Sequence, residues 1–132
     1  MIEVLDTRFL SEYFYSTVAE VKAKTTRRLK ELVAKNEGVM PTIVVAEIVQ
    51  ITCERRGKDM AERRYQALIS SGLQIQDLSS EIARCAGLLK SKYRNVPMGD
   101  CIIAATAIIN HGRVLSDDPH FEVIKETSRT WI

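Results

Sequence analysis

Five acidic residues stand where a carboxylate could do chemistry. Asp6 closes the short apolar run that begins at Ile2, and Asp117 and Asp118 follow the run Arg113 to Ser116. An Asp after a strand is also ordinary turn chemistry. Glu47 lies in an apolar stretch. If that stretch is a helix, the residues one turn away are Ile43, Val44, Gln50 and Ile51, and none of them is basic. A carboxylate on an apolar face must be protonated, paired from elsewhere or bound to a metal. If the apolar pattern instead wraps right round the helix, Glu47 simply meets solvent. Asp100, in Pro97-Met98-Gly99-Asp100, precedes a largely apolar run and reads as a helix N-cap. One of its oxygens can cap while the other faces a metal. Carboxylates that converge cannot all stay ionised unaided, and a divalent cation resolves the repulsion. With no His or Cys cluster in view, all-oxygen ligation points to Mg²⁺ or Mn²⁺ rather than zinc. Such a site suits phosphodiester hydrolysis.

The elements that must position these acids alternate between short strands and longer helices. Ile2 to Asp6 reads as a strand and Arg8 to Tyr15 as a helix. Val18 to Lys35 is amphipathic, with Val18, Val21, Thr25, Leu29, Leu32 and Val33 at helical spacing, and Gly38 is the expected left-handed cap after it. Val39 to Pro41 reads as a strand. Ile43 to Arg56 is rich in β-branched residues, yet its length, Thr42 as N-cap and Gly57 as stop favour a helix. Lys58 to Ser70 is a further helix, Leu73 to Leu78 a strand, and Ser79 caps a helix to about Tyr93. Asp100 is expected to cap a helix through His111 that Gly112 stops. Arg113 to Ser116 is a strand, Asp117 to Lys125 a turn and short helix, and Ser128 to Ile132 a last strand. Strands joined by helical crossovers imply a parallel sheet with helices on both faces. Ligands of such sheets bind at the carboxyl ends of the strands, where Asp6, Asp117 and Asp118 stand.

Composition bounds the remaining possibilities. The chain has 132 residues, 45% of them hydrophobic and 27% charged, which fits one folded domain and excludes a disordered chain. No run is long enough to cross a membrane, and no secretory signal is visible, since Glu3 and Asp6 sit where one would be basic and then apolar. Cys53, Cys85 and Cys101 are widely spaced, which argues against a disulfide framework. They read as small buried hydrophobes in a reducing, cytoplasmic compartment. The formal net charge of +2 is too small to mark a nucleic-acid binder by itself.

Val4-Leu5-Asp6-Thr7, Val44-Val45-Ala46-Glu47-Ile48, Met98-Gly99-Asp100-Cys101-Ile102-Ile103-Ala104-Ala105-Thr106-Ala107 and Val114-Leu115-Ser116-Asp117-Asp118-Pro119-His120-Phe121 resemble the four motifs of PIN-domain ribonucleases, in the right order and at typical separations. The third motif is the most specific, and the resemblance covers nearly the whole chain. It implies a single PIN domain over residues 1–132, an α/β fold of three layers (α/β/α) whose central parallel sheet has the order 3-2-1-4-5. It also implies a Mg²⁺ or Mn²⁺ site at Asp6, Glu47, Asp100 and an Asp of the fourth motif. The Thr/Ser-x-Asp form of that motif assigns Asp118, with Ser116 as the hydroxyl and Asp117 as a substitute or outer acid. Thr7 is expected to orient Asp6 or a bound water.

Many stand-alone chains of this kind are VapC-type toxins: endoribonucleases that form homodimers and are silenced by an antitoxin whose tail fills the active-site groove. Other PIN proteins process RNA outside toxin–antitoxin pairs, and the motifs do not separate the two. Arg8, Arg55, Arg56, Lys92 and Arg94 are the basic residues expected to meet RNA phosphates, with solvated surface charge as the plain alternative. His120 shows no partner in the sequence and reads as a surface residue, and Trp131 is expected to pack against the sheet. With the four acids set aside, 19 basic residues face 13 acids, a surplus of six over the rest of the molecule. A PIN-like module that binds RNA or a partner without cutting is the competing class, and retention of all four acids argues against it. A phospho-acceptor domain is also doubly wound, but only Asp6 ends the first strand and no suitable Lys follows the last.

Overall fold

The computed structural model describes residues 1–132. Its elements in chain order are β1 (Glu3–Leu5), α1 (Thr7–Tyr15), α2 (Ala19–Lys35), β2 (Gly38–Pro41), α3 (Thr42–Arg56), α4 (Lys58–Ile69), β3 (Gln74–Gln76), α5 (Ser80–Lys92), α6 (Met98–Ile109), β4 (Arg113–Leu115), α7 (His120–Val123) and β5 (Arg129–Thr130). The sheet is wholly parallel, in the order β3-β2-β1-β4-β5. Every residue of β1 and β2 is buried. Because successive strand residues point to opposite faces, both faces of the central strands are covered, which is the three-layer arrangement. Successive strands are added on one side of β1 as far as β3 and on its other side from β4, so the crevice of the fold opens at the carboxyl ends of β1 and β4.

The β-branched stretch is helical as its length suggested. Val44, Val45, Ile48 and Thr52 fall on one buried face of α3, and that burial outweighs the modest rotamer cost of branched residues in a helix. Other boundaries differ. The N-cap of α3 is Pro41, so Thr42 already lies inside the helix, as suits a strand that runs straight into it. The N-cap of α6 is Pro97, and Asp100 sits within the first turn rather than at the cap. Ser79 does cap α5, its hydroxyl accepting the Ile82 N–H at 3.1 Å. The last strand shortens to Arg129–Thr130, while Trp131 stands edge-on to Phe9 with ring centroids 6.2 Å apart. Cys101 is buried and Cys85 partly so, but Cys53 is exposed near the polar end of α3. No helix is long and apolar enough to cross a membrane.

The left-handed residue that ends α2 is Asn36 (φ 54°), not Gly38. A six-to-one bond from Glu37 N–H to the Leu32 carbonyl, 2.9 Å, completes the helix terminus. Gly38 lies in β2, where a Cβ would come within 2.5 Å of Leu73 Cδ2. The same device ends α6: His111 is left-handed (φ 54°) and Gly112 N–H bonds to the Ala107 carbonyl at 2.9 Å. At Gly112 a Cβ would meet the backbone oxygen of Ile2 at 2.4 Å. In both places the glycine admits a neighbour and an Asn or His makes the turn.

Gly112→Ala is therefore expected to destabilise the fold by about 1–3 kcal/mol, the usual range for overpacking. Gly87 lies in α5 with nothing within 4 Å of its added Cβ, so Gly87→Ala should stabilise by about 0.5–1 kcal/mol. Urea unfolding of the two variants beside the parent checks this opposition of sign.

Candidate active site

The register of β1 on β4 pairs Leu5 with Leu115. The next residue on each strand is then Asp6 and Ser116, side by side at the crevice. Ser116 Oγ donates to Asp6 Oδ2 at 2.6 Å. Asp6 is only 4% exposed and makes no side-chain cap to α1, although it stands at that helix's N-terminus. Burial pushes its carboxyl up to about 6; the Ser116 hydrogen bond pulls against this, and the charges of Asp100 and Asp118 add to the rise. These three acids therefore lie within one another's electrostatic reach.

Because Pro97 takes the cap position, Asp100 is free to turn into the crevice. Burial raises its carboxyl above the ordinary range, opposed by a hydrogen bond with His120, and the Asp118 charge raises it further. Asp118 is held by its backbone: its N–H donates to Ser116 Oγ at 3.0 Å, and its Oδ1 accepts the His120 N–H at 2.9 Å. Ser116 thus touches both the first and the fourth acid. Glu47 is partly buried on α3, and its Oε1 accepts from Thr7 Oγ1 at 2.9 Å. The partner of Thr7 is therefore Glu47. Since Thr7 is bonded to Asp6 in the chain, this contact draws the α3 carboxylate toward the same edge.

Asp117 points elsewhere. Both its oxygens accept hydrogen bonds from the Arg8 guanidinium, through Nε and, at 3.1 Å, through Nη2. That contact holds the Asp117 carboxyl below its usual range. The structure thus separates the two neighbouring acids, Asp118 with Asp6 and Asp100, and Asp117 with Arg8.

His120 differs from its sequence reading. Its Nδ1 lies 2.8 Å from Asp100 Oδ2 and 3.3 Å from Asp118 Oδ1. Asp100, Asp118 and His120 each offer one donor atom, all within 4.8 Å of one another. The partner invisible in the sequence is Asp100, twenty residues earlier. The available signal was the Asp118-Pro119-His120 spacing, which lets the Asp carboxylate accept the His N–H and start α7.

The other charged candidates are scattered. Arg55 lies over the Tyr15 ring, 5.4 Å from its centroid. Arg56 is exposed at the end of α3, and Arg94 is exposed in the turn that leads into α6. Lys92 pairs with Glu126 at 3.0 Å.

A second buried acid on β1 supplies a contrast. Glu3 is also 4% exposed, but Arg28 Nη1 donates to it at 2.8 Å and Arg113 donates through Nε at 3.0 Å and Nη2 at 2.6 Å. Guanidiniums neutralise the acid at one end of the strand; the acid at the other end has a hydroxyl, the Thr7 backbone N–H and two like charges, and no cation bonded to it.

A family model described as PIN domain matches residues 4–126, the span that carries Asp6, Glu47, Asp100, Asp117 and Asp118. The chain belongs to the PIN domain family. No curated protein sequence matches it, but solved structures share this PIN fold. The structure of VapBC2 from Rickettsia felis bound to a DNA fragment from its promoter superposes with a TM-score of 0.81 at 19% identity, covering 99% of this chain and 98% of that one. DNA-bound VapBC from Salmonella typhimurium gives 0.81 at 16% identity over 99% and 98%. VapC20 of Mycobacterium tuberculosis, described as a sarcin-ricin loop cleaving toxin, gives 0.71 at 16% identity over 93% and 95%. At these identities the PIN architecture is what is shared.

The raised Asp6 carboxyl makes stability depend on pH in a definite direction. Folded metal-free PIN domain holds the Asp6 proton more tightly than the unfolded chain does, with about 6 against the ordinary 3.8. This contribution is complete below about pH 4 and is lost as pH rises through about 6, about 3 kcal/mol over the whole window. Asp100 acts with the same sign, and Asp117, held low by Arg8, acts oppositely at more acid pH. Unfolding curves in EDTA should therefore show stability declining from pH 5 to 7.5, and Asp6→Asn should flatten that decline. A parent protein whose stability rises over this range equally with and without Asp6 contradicts the assignment.

Proposed function

We propose that this PIN domain is a metal-dependent endoribonuclease, and that it is the toxin of a toxin–antitoxin pair. The observation that carries the reading is the meeting of Asp6, Asp100 and Asp118 at the switch point of the sheet, where the charges of Asp100 and Asp118 raise the Asp6 carboxyl and that of Asp118 raises Asp100. Such a cluster is stable in its ionised form only when a cation balances it. Arg8 gives its hydrogen bonds to Asp117 instead. Carboxylate oxygens of this kind fit Mg²⁺ or Mn²⁺. Asp6, Asp100 and Asp118 would hold the ion, with Glu47 completing the acidic set from α3.

When bound, the ion neutralises the carboxylates, activates a water and stabilises the leaving oxygen of the phosphodiester. The chain's own residues set the geometry. Ser116 fixes the Asp6 carboxylate and the Asp118 backbone through one hydroxyl. Thr7 orients Glu47. Arg8, at the rim through Asp117, and Arg94, ahead of α6, are suited to meet phosphates, with Arg55 and Arg56 at the end of α3 as an outer basic group. The whole chain, residues 1–132, acts as one PIN domain in the cytoplasm, as a homodimer, with an antitoxin protein occupying the groove in the silent state. Support for the toxin role comes from the similar fold of the VapBC complexes and of a toxin described as cleaving the sarcin-ricin loop.

The test is cleavage of single-stranded RNA by purified protein stripped of any co-purifying small protein. Cleavage should require Mn²⁺ or Mg²⁺, stop in EDTA and fall in Asp100→Asn by about 100-fold or more, the upper end of the loss seen even for outer-shell substitutions. Absence of metal-dependent cleavage across varied RNAs would sink the proposal.

A further inference from the structure

The acidic set is not purely oxygen. We infer that His120 is a nitrogen ligand to the divalent ion of this cluster, so that the site selects Mn²⁺ over Mg²⁺. The inference rests on the metal-site reading above and deepens it by naming the donor that decides which metal is kept.

Three features of the structure support it. Nδ1 is the ring nitrogen turned toward the carboxylates, 2.8 Å from Asp100 Oδ2 and 3.3 Å from Asp118 Oδ1. Adjacent ligands of an octahedral ion at about 2.1 Å stand about 3.0 Å apart. The two separations bracket that edge, so an ion can seat beside all three donors with small side-chain shifts. Second, the ring is placed by the backbone. His120 N–H is fixed to Asp118 Oδ1 at 2.9 Å, and the next residue, Phe121, is 1% exposed and anchors α7 in the core. Third, the imidazole makes no other hydrogen bond that would commit it to a structural role; its ring contacts are these two carboxylates.

A nitrogen donor changes selectivity for a physical reason. Mg²⁺ is hard, prefers oxygen and dehydrates reluctantly. Imidazole nitrogen suits the later transition ions best, and Mn²⁺, though the weakest binder of that row, gains more from it than Mg²⁺ does. A carboxylate-only site would distinguish Mn²⁺ from Mg²⁺ weakly, and His120 widens the gap.

The decisive measurement is pulsed electron paramagnetic resonance of Mn²⁺ bound to the intact protein. The chain contains only two histidines, and the other, His111, is in the left-handed turn that ends α6. Protein grown with ¹⁵N-histidine should replace the ¹⁴N modulation around Mn²⁺ with that of ¹⁵N, a result that requires no variant to fold. His120→Ala should abolish the nitrogen signal, and calorimetry should show Mn²⁺ affinity falling about tenfold with Mg²⁺ affinity changing less. Mn²⁺ bound by oxygen and water alone overturns the inference and leaves the metal site standing. Failure of the parent protein to bind Mn²⁺ at millimolar concentration overturns both.

Discussion

The structure is organised around the pairing of β1 with β4. That single parallel contact sets Asp6 against Ser116 at the end of two buried strands. Asp6 lies where water cannot reach it freely, so its charge must be answered by something fixed. What the fold supplies is the Ser116 hydroxyl, the Thr7 backbone N–H and two further acids, the acids brought from the first turn of α6 and from the segment after β4. A protein built only for stability would place a guanidinium there.

The same strand shows that solution at its other end. Glu3 is as buried as Asp6 but receives three hydrogen bonds from Arg28 and Arg113. Two acids, one at the start of β1 and one just past its end, therefore meet opposite electrostatic environments. Burial alone does not single out Asp6 from Glu3; burial without a bonded cation does, and that is the feature that makes Asp6 the candidate. Asp117 and Asp118 repeat the contrast in adjacent positions. Asp117 is matched by Arg8, whereas Asp118 is turned toward Asp100 and His120. Acids matched by a guanidinium and acids that face one another are thus sorted residue by residue along one edge of the sheet.

Much of this was legible in the chain. The helical spacing of Val44, Val45 and Ile48, the Ser79 cap and the acids that follow strand runs are local patterns, and local patterns survive into the fold because helix and strand periods are set by backbone geometry. Where the structure departs from these patterns, the cause is a nonlocal contact at Gly38 and His120 and a neighbouring proline at Asp100. Gly38 is not the helix cap, because β2 must pass close to Leu73. Asp100 is not the N-cap, because Pro97 takes that position and leaves the carboxylate free for the crevice. His120 is not a bystander, because α6 brings Asp100 to it.

By itself the sequence determined the alternation of strands and helices, the parallel crossovers and the four segments that carry acids. Its motifs carried the resemblance from which the sheet order followed. These depend on spacing within a few residues, or on a pattern preserved in order along the chain. Only the tertiary structure decided which polar side chains meet: Thr7 with Glu47, Arg8 with Asp117, Ser116 with Asp6 and His120 with Asp100. The partners in those pairs lie 40, 109, 110 and 20 residues apart. A hydrogen bond requires its atoms within about 3 Å, and no local periodicity specifies a distance that small across so much chain.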